Sequence, residues 1–155
     1  MRRTPLLIAG GGPSGAAAAI VLARGGARPV LVDRGTGPRD LVCGGFLGWD
    51  ALAALERLGI DPAALGGRPI RRLRLVAAGR SVEAALPHAA AGLSRRTLDA
   101  ALLEAAKTAG AELLMGRVIR GVDDRTVRLC SLLPGAAPAL VREDGTVWLA
   151  MQVQH

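Results

Sequence analysis

The sequence predicts an α/β fold in which a parallel sheet alternates with helices, a β-hairpin is inserted, and the pattern is incomplete towards the C-terminus. Three observations carry this. The apolar run Leu6–Ala9 passes through Gly10, Gly11 and Gly12 into the small, helix-forming stretch Ala16–Leu22. A second apolar run, Pro29–Val32, ends in the acid Asp33. Between that unit and a later helix, two short extended runs flank Gly79, as in a hairpin.

The elements follow in order. Leu6–Ala9 reads as a buried strand and Ala16–Leu22 as a helix, closed at Gly25-Gly26, where glycine tolerates the left-handed backbone of a helix end. Pro29–Asp33 completes a βαβ unit. Arg34–Asp40 is polar and rich in breakers and reads as a loop. In Leu41–Leu47 the adjacent Gly44 and Gly45, set between apolar residues, predict a close backbone approach. A helix over 51–58 starts near Asp50, carries Ala51, Leu55 and Leu58 on one face, and stops at Gly59. Pro69–Leu86 forms the hairpin, with Arg72 and Arg74 towards solvent, and Pro87–Gly92 reads as a loop. Ser94 is the expected N-cap of a helix to Ala109 with Leu98, Leu102, Ala105 and Ala109 in its apolar stripe, widened by Leu103 and Ala106. Gly110 ends it. Ala111–Met115 reads as a further strand of the parallel sheet, and Val118–Val122 and Thr126–Leu129 as two strands joined at Asp123-Asp124. Beyond Cys130, Pro134 and Pro138 break the pattern, and only Thr146–Leu149 reads as a short strand.

The chemistry sits at the beginning. Gly10, Gly12 and Gly15 fit G-x-G-x-x-G between a strand and a helix, with Asp33 eighteen residues after Gly15. In that setting the first glycine makes the tight turn, the second lets a pyrophosphate approach the main chain, and the third lets helix and strand pack closely. The unpaired N–H groups and positive dipole of the helix N-terminus face the anion, and the acid meets a ribose hydroxyl. A Rossmann-like, dinucleotide-binding start is therefore expected.

Composition narrows the alternatives. With 155 residues, half of them apolar, the chain can bury a core, built from Ala, Leu and Val because Phe46, Trp49 and Trp148 are the only aromatics. The net charge of +7 comes from scattered arginines, with Lys107 the single lysine; without aromatic platforms this favours an anionic cofactor over a nucleic-acid partner. No apolar run approaches the ~18 residues of a membrane span. The basic, then apolar, N-terminus is broken by Gly10–Gly12 too early for a secretory signal, so a cytoplasmic location is expected. Cys43 and Cys130 lack metal or dithiol spacing. His88 and His155 stand alone, and no acid–base pair or nucleophile–histidine arrangement is visible.

Gly10-Gly11-Gly12-Pro13-Ser14-Gly15 with Ala19, then Val30-Leu31-Val32-Asp33-Arg34, resembles the FAD-binding start of flavoprotein oxidoreductases. Val42-Cys43-Gly44-Gly45-Phe46-Leu47 and Leu55–Ile60 resemble the geranylgeranyl reductase family, within the wider group of para-hydroxybenzoate hydroxylase-like flavoproteins. Leu93–Asp99 resembles that group's R-x-x-F-D helix start, with Leu98 in place of the Phe. The resemblance runs from about Leu6 to Val122. It implies that Gly10, Gly12, Pro13, Ser14 and Gly15 hold the FAD pyrophosphate and that Asp33, with Arg34 beside it, binds the adenosine ribose. Cys43 and Gly44 would lie near the pyrophosphate or flavin, Arg95 would reach towards the cofactor, and Val118 would contact adenine by its main chain. The later G-D-G and G-D-A segments of such proteins are absent, Asp144-Gly145 being a faint echo. The expectation is an FAD-binding domain, in part, over 1–129, and an irregular tail, truncated or frameshifted, over 130–155.

The expected function is flavin-dependent redox chemistry, as a reductase or in the manner of monooxygenases and halogenases. The substrate would be a small isoprenoid or aromatic molecule, with NAD(P)H or another electron donor. The alternative is a dinucleotide-binding module without catalysis. An arginine-rich nucleic-acid binder ranks third.

Overall fold

The computed structural model describes residues 2–3, 6–43, 45–122, 126–131 and 140–141. They form two compact units, Met1–Pro38 with Asp99–His155, and Arg39–Leu98.

The first unit is built on a three-stranded parallel sheet. Strands β2 (Leu7–Ala9), β3 (Val30–Asp33) and β7 (Glu112–Met115) lie in the order β2-β3-β7, with Leu7 opposite Val30 and Val30 opposite Glu112. These short strands are apolar along most of their length because both faces are covered. On one face Leu7, Val30 and Val32 pack with Val127 and Leu129, and Leu114 and Ile119 close the cluster. Ile119 belongs to β8 (Arg117–Val122), and Val127 and Leu129 to β9 (Thr126–Ser131), an antiparallel pair with Val118 opposite Cys130. Two-residue strands β1 (Arg2–Arg3) and β10 (Leu140–Val141) extend this second sheet in the order β1-β10-β9-β8. On the other face of the parallel sheet, helix α1 (Pro13–Arg24) buries Gly15, Ala16, Ala19, Ile20 and Ala23. Those small residues let the helix axis approach the strands closely.

The second unit carries the hairpin. Strands β5 (Arg68–Ala77) and β6 (Arg80–Gly92) are joined by Ala78-Gly79, both at positive φ, which matches the two-residue turn that the right-handed twist of paired strands favours. Arg72 and Arg74 extend into solvent as expected, both ion-paired with Glu83. One expectation fails: Pro87–Gly92 is not a loop but the end of β6, where Ala90 pairs with Ile70 and Gly92 with Arg68. The register jumps from Ile70–Ala90 to Arg72–Ala85, so residues 86–89 oppose Arg71 alone. Pro87 falls in this bulge, where a missing N–H removes no ladder bond, and a proline there misleads a reading by composition. Strand β4 (Phe46–Leu47) pairs with the end of β6. Gly45 makes the expected close approach: its C=O accepts the Leu93 N–H at 2.8 Å, and a Cβ would come 3.0 Å from the Leu93 carbonyl oxygen.

Helix α2 (Trp49–Arg57) begins two residues earlier than its apolar pattern suggests, because Gly48 takes the extended N-cap conformation and Asp50 falls within the first turn. Helix α3 (Arg95–Ala109) buries Leu98, Leu102, Leu103 and Ala106. All three helices stop in the same way. The residue after the stop donates its N–H five residues back (Ala27 to Leu22, Ile60 to Leu55, Ala111 to Ala106), and the glycine between is left-handed. Of the residues 130–155, Cys130 and Ser131 end β9 and Leu140–Val141 form β10; Thr146–Leu149 lies outside the described residues.

Ser94 Oγ accepts the Thr97 N–H at 3.2 Å, as an N-cap should. Ser94→Ala is expected to lower stability by about 1 kcal/mol, measured by urea unfolding. An unchanged midpoint would show that the cap contributes nothing.

Candidate functional site

The site is assembled where β2 ends, α1 begins and β3 ends. Gly10 is left-handed (φ 103°) and donates its N–H to the Val32 C=O at 2.8 Å, which fastens the turn to the neighbouring strand. A side chain at Gly15 would collide with the Gly10 carbonyl oxygen, since that oxygen sits where a Cβ would be. The Cβ would also meet the Ile8 side chain at 3.3 Å. Gly15 is therefore demanded by the closeness of turn, helix and strand, as the motif predicts.

Gly12 is the N-cap of α1, Pro13 opens the helix, and Ala16 N–H donates to Gly12 C=O at 2.9 Å. Pro suits this first position because it has no N–H to leave unpaired and its φ is preset for the helix. Gly12 has no capping side chain, and the first turn has no acidic residue. Most helices quench their positive end with one or the other. Here neither is present, and Ser14 is exposed beside the early N–H groups.

Asp33 holds this turn in place. Its Oδ2 accepts the Gly11 N–H and its Oδ1 accepts the Gly35 N–H, each at 2.6 Å. One carboxylate thus joins the glycine turn to the loop that follows β3. An ionised carboxylate offers about four acceptor positions. Two are taken, and acceptor capacity for a ribose hydroxyl remains. Gly11 is packed against the same side chain: a Cβ there would come 3.1 Å from Asp33 Cβ and 3.2 Å from Leu31 Cδ2. Gly35 in turn accepts the Gly116 N–H at 2.8 Å, so the start of β8, two residues before Val118, is tied to the same loop. Arg34 is exposed within it.

The first unit therefore brings together Gly10, Gly12, Pro13, Ser14, Gly15, Asp33 and Arg34, with Val118 on the strand linked through Gly116. Cys43 and Arg95 belong to the second unit. The Cys43 thiol is exposed, and Arg95 is half-buried as the first residue of α3, beside the Ser94 cap. Gly44 lies outside the described residues. Sequence reasoning missed Gly11, Gly35 and Gly116. The first two left a signal: Gly35 stands two residues after an aspartate, the spacing of an Asx turn, and Gly11 fills the only motif gap facing Asp33.

Residues that fit a dinucleotide are thus present: a turn that excludes a side chain, an uncapped helix start, and an acid with spare acceptors. Their fold is the Rossmann-type fold of FAD-dependent flavoproteins, present in part. The flavin-dependent monooxygenase PieE, solved with FAD and substrate, superposes with a TM-score of 0.74 over 94% of this chain and 29% of its own, at 23% identity. A geranylgeranyl bacteriochlorophyll reductase-like protein from Thermoplasma acidophilum gives 0.76 over 97% of this chain and 39% of its own, at 20% identity. The myxobacterial chondrochloren halogenase gives 0.77 over 97% of this chain and 37% of its own, at 19% identity.

The homologues are named reductases. Menaquinone reductase of Mycobacterium tuberculosis is 32% identical over 133 residues, 82% of this chain and 33% of the relative. The Mycolicibacterium smegmatis protein of that name is 32% identical over 151 residues, 92% of this chain and 34% of the relative. Chloroplastic geranylgeranyl diphosphate reductase of Oryza sativa subsp. japonica is 34% identical over 77% of this chain and 26% of the relative. The resemblance to geranylgeranyl reductases and their FAD-dependent relatives is thus borne out. The chain spans about a third of the length of the mycobacterial relatives. A family described as of unknown function (DUF5926) also matches, over residues 89–155.

Gly15→Ala forces the turn apart, and a backbone clash of this kind is expected to cost about 2 kcal/mol or more of stability. Thermal unfolding of the variant checks this. A melting temperature equal to that of the parent would contradict the contact with Gly10.

Proposed function

We propose that this chain holds FAD and serves as the cofactor-binding part of a flavin-dependent reductase acting on a prenylated substrate. The observation that carries the reading is the uncapped start of α1 beside a glycine turn anchored by Asp33. In the proposal Gly10, Gly12, Pro13, Ser14 and Gly15 receive the pyrophosphate. Asp33 accepts from the adenosine ribose with its remaining lone pairs, and Arg34 flanks it. Val118 offers its main chain to adenine. Cys43, Gly44 and Arg95 act nearer the flavin end, with the Arg95 guanidinium neutralising cofactor charge.

Bound FAD supplies the redox chemistry, and the protein supplies binding and orientation. The reductase reading is preferred to oxygenation or halogenation because the relatives above 30% identity are named for menaquinone and geranylgeranyl diphosphate reduction. The monooxygenases and halogenases are alike in fold at lower identity. NAD(P)H or another donor would reduce the flavin, in a cytoplasmic setting. A second reading is a dinucleotide-binding module without its own catalysis, for which the glycine turn and its Asp33 anchor suffice.

Titration of the purified chain with FAD, followed by flavin fluorescence, tests the shared core of both readings. Saturable binding, displaced by ADP, is expected. A chain that is folded by circular dichroism yet takes up no FAD overturns them. Turnover of a menaquinone or geranylgeranyl substrate by the reduced holoprotein separates the first from the second.

Asp33→Ala is expected to weaken FAD binding by about 1–3 kcal/mol, the loss of a hydrogen bond to a charged group. It also leaves the Gly11 and Gly35 N–H groups without their acceptor, so thermal stability should fall alongside. Full affinity in the variant would remove Asp33 from the ribose role.

A further inference from the structure

Gly116 stands at the corner where the chain leaves the parallel sheet. Met115 ends β7 opposite Asp33, and Arg117 begins β8, which belongs to the other sheet. The single residue between them is left-handed, with φ 69°. Its N–H donates to the Gly35 C=O at 2.8 Å. Space is not what requires a glycine there, since a Cβ would meet Thr36 Cγ2 at 3.5 Å, an ordinary contact. The backbone angle requires it: a side chain branched at Cβ is strongly disfavoured in this region, whereas asparagine enters it.

Gly35 is held from two sides. Its N–H donates to Asp33 Oδ1 at 2.6 Å, and its C=O accepts from Gly116. One residue thus spans the gap between the acid proposed for the ribose and the start of β8. Val118 follows two residues after Gly116, and Ile119 beyond it packs against the buried cluster. Gly116 on one side and Ile119 on the other therefore bracket the Val118 main chain. A nucleotide whose ribose meets Asp33 carries its base at a distance fixed by the sugar. The strand can read that base only within hydrogen-bond reach, and such bonds weaken steeply with misalignment. Adenine presents an amino donor where guanine presents a carbonyl acceptor. Main-chain groups held in one place can satisfy the first base and not the second.

We propose that Gly116 is a positioning residue for base recognition: its left-handed corner and its bond to Gly35 set the Val118 main chain against the Asp33 carboxylate, and so select adenine over guanine. The inference rests on the FAD reading and deepens it by naming what fixes the adenine end. Gly116 acts through Gly35 and Val118 rather than by a contact of its own.

Calorimetric titration of the full chain with ADP and with GDP tests this, folding of each variant being checked by circular dichroism. The parent should bind ADP about tenfold more tightly than GDP, because mismatched donors and acceptors are left unpaired. Gly116→Val should weaken ADP binding about fivefold while GDP changes little, so that the preference shrinks. Gly116→Asn, tolerated at positive φ, should keep the preference of the parent. If the valine variant does not fold, Gly116→Ala carries the same expectation in smaller degree. A merely structural glycine would lower the melting temperature of the variants and leave the ADP-to-GDP ratio of the folded chain unchanged. That result overturns the proposal. So does a parent that binds both nucleotides equally, or a loss of preference shared alike by the asparagine and valine variants. In each of these cases the FAD reading stands as long as FAD binds; a folded parent that takes up neither FAD nor ADP overturns both.

Discussion

The Asp33 carboxylate is the joint on which the first unit turns. Its two oxygens take N–H groups from Gly11 and Gly35, on opposite sides of the β3 end. A glycine-rich turn has a large conformational entropy to lose, and the charge-assisted bond from Gly11 offsets part of that loss within the fold itself. The second bond shapes the loop after β3, and through the Gly35–Gly116 contact that loop reaches the start of β8. The glycine turn, the acid proposed for the ribose and the strand proposed beside adenine are therefore linked through hydrogen bonds that centre on one carboxylate.

Such pre-organisation fits a binding site better than a merely structural turn. A structural turn would be expected to cap its helix with Ser, Thr, Asp or Asn, and to hold an acid in the first turn. Helix α1 has neither, while α3 in the same chain has Ser94. The contrast between two helices of one protein shows that capping was available and was not used at Gly12. The closeness of Gly15 to Gly10 adds that no side chain is admitted where the helix meets the strand.

Much of this was legible in the amino-acid order. The βαβ unit announces itself because two apolar runs, a glycine turn and an acid occur in the only order that makes a dinucleotide site. The three helix ends are marked by Gly26, Gly59 and Gly110, whose left-handed backbone few other residues tolerate. The hairpin is readable from Gly79. The end of β6 was not, since Pro87 looks like a breaker and nothing local reveals that the bulge spanning 86–89 makes it harmless. The double duty of Asp33 was half visible: its distance from Gly15 points to a ribose, but its bond to Gly11 depends on how two strands lie side by side. Arg72 and Arg74 of the ribbon were visible as solvent-facing; that both reach Glu83 needed the strand register.

The account stands most directly on amide hydrogen exchange, measured by NMR on the cofactor-free chain. Gly11 and Gly35 N–H groups should exchange slowly, and both should lose protection in Asp33→Ala while the Gly10 amide, bonded to Val32, stays protected. Fast exchange at Gly11 and Gly35 in the parent chain, or protection indifferent to Asp33, would contradict a site organised by that carboxylate.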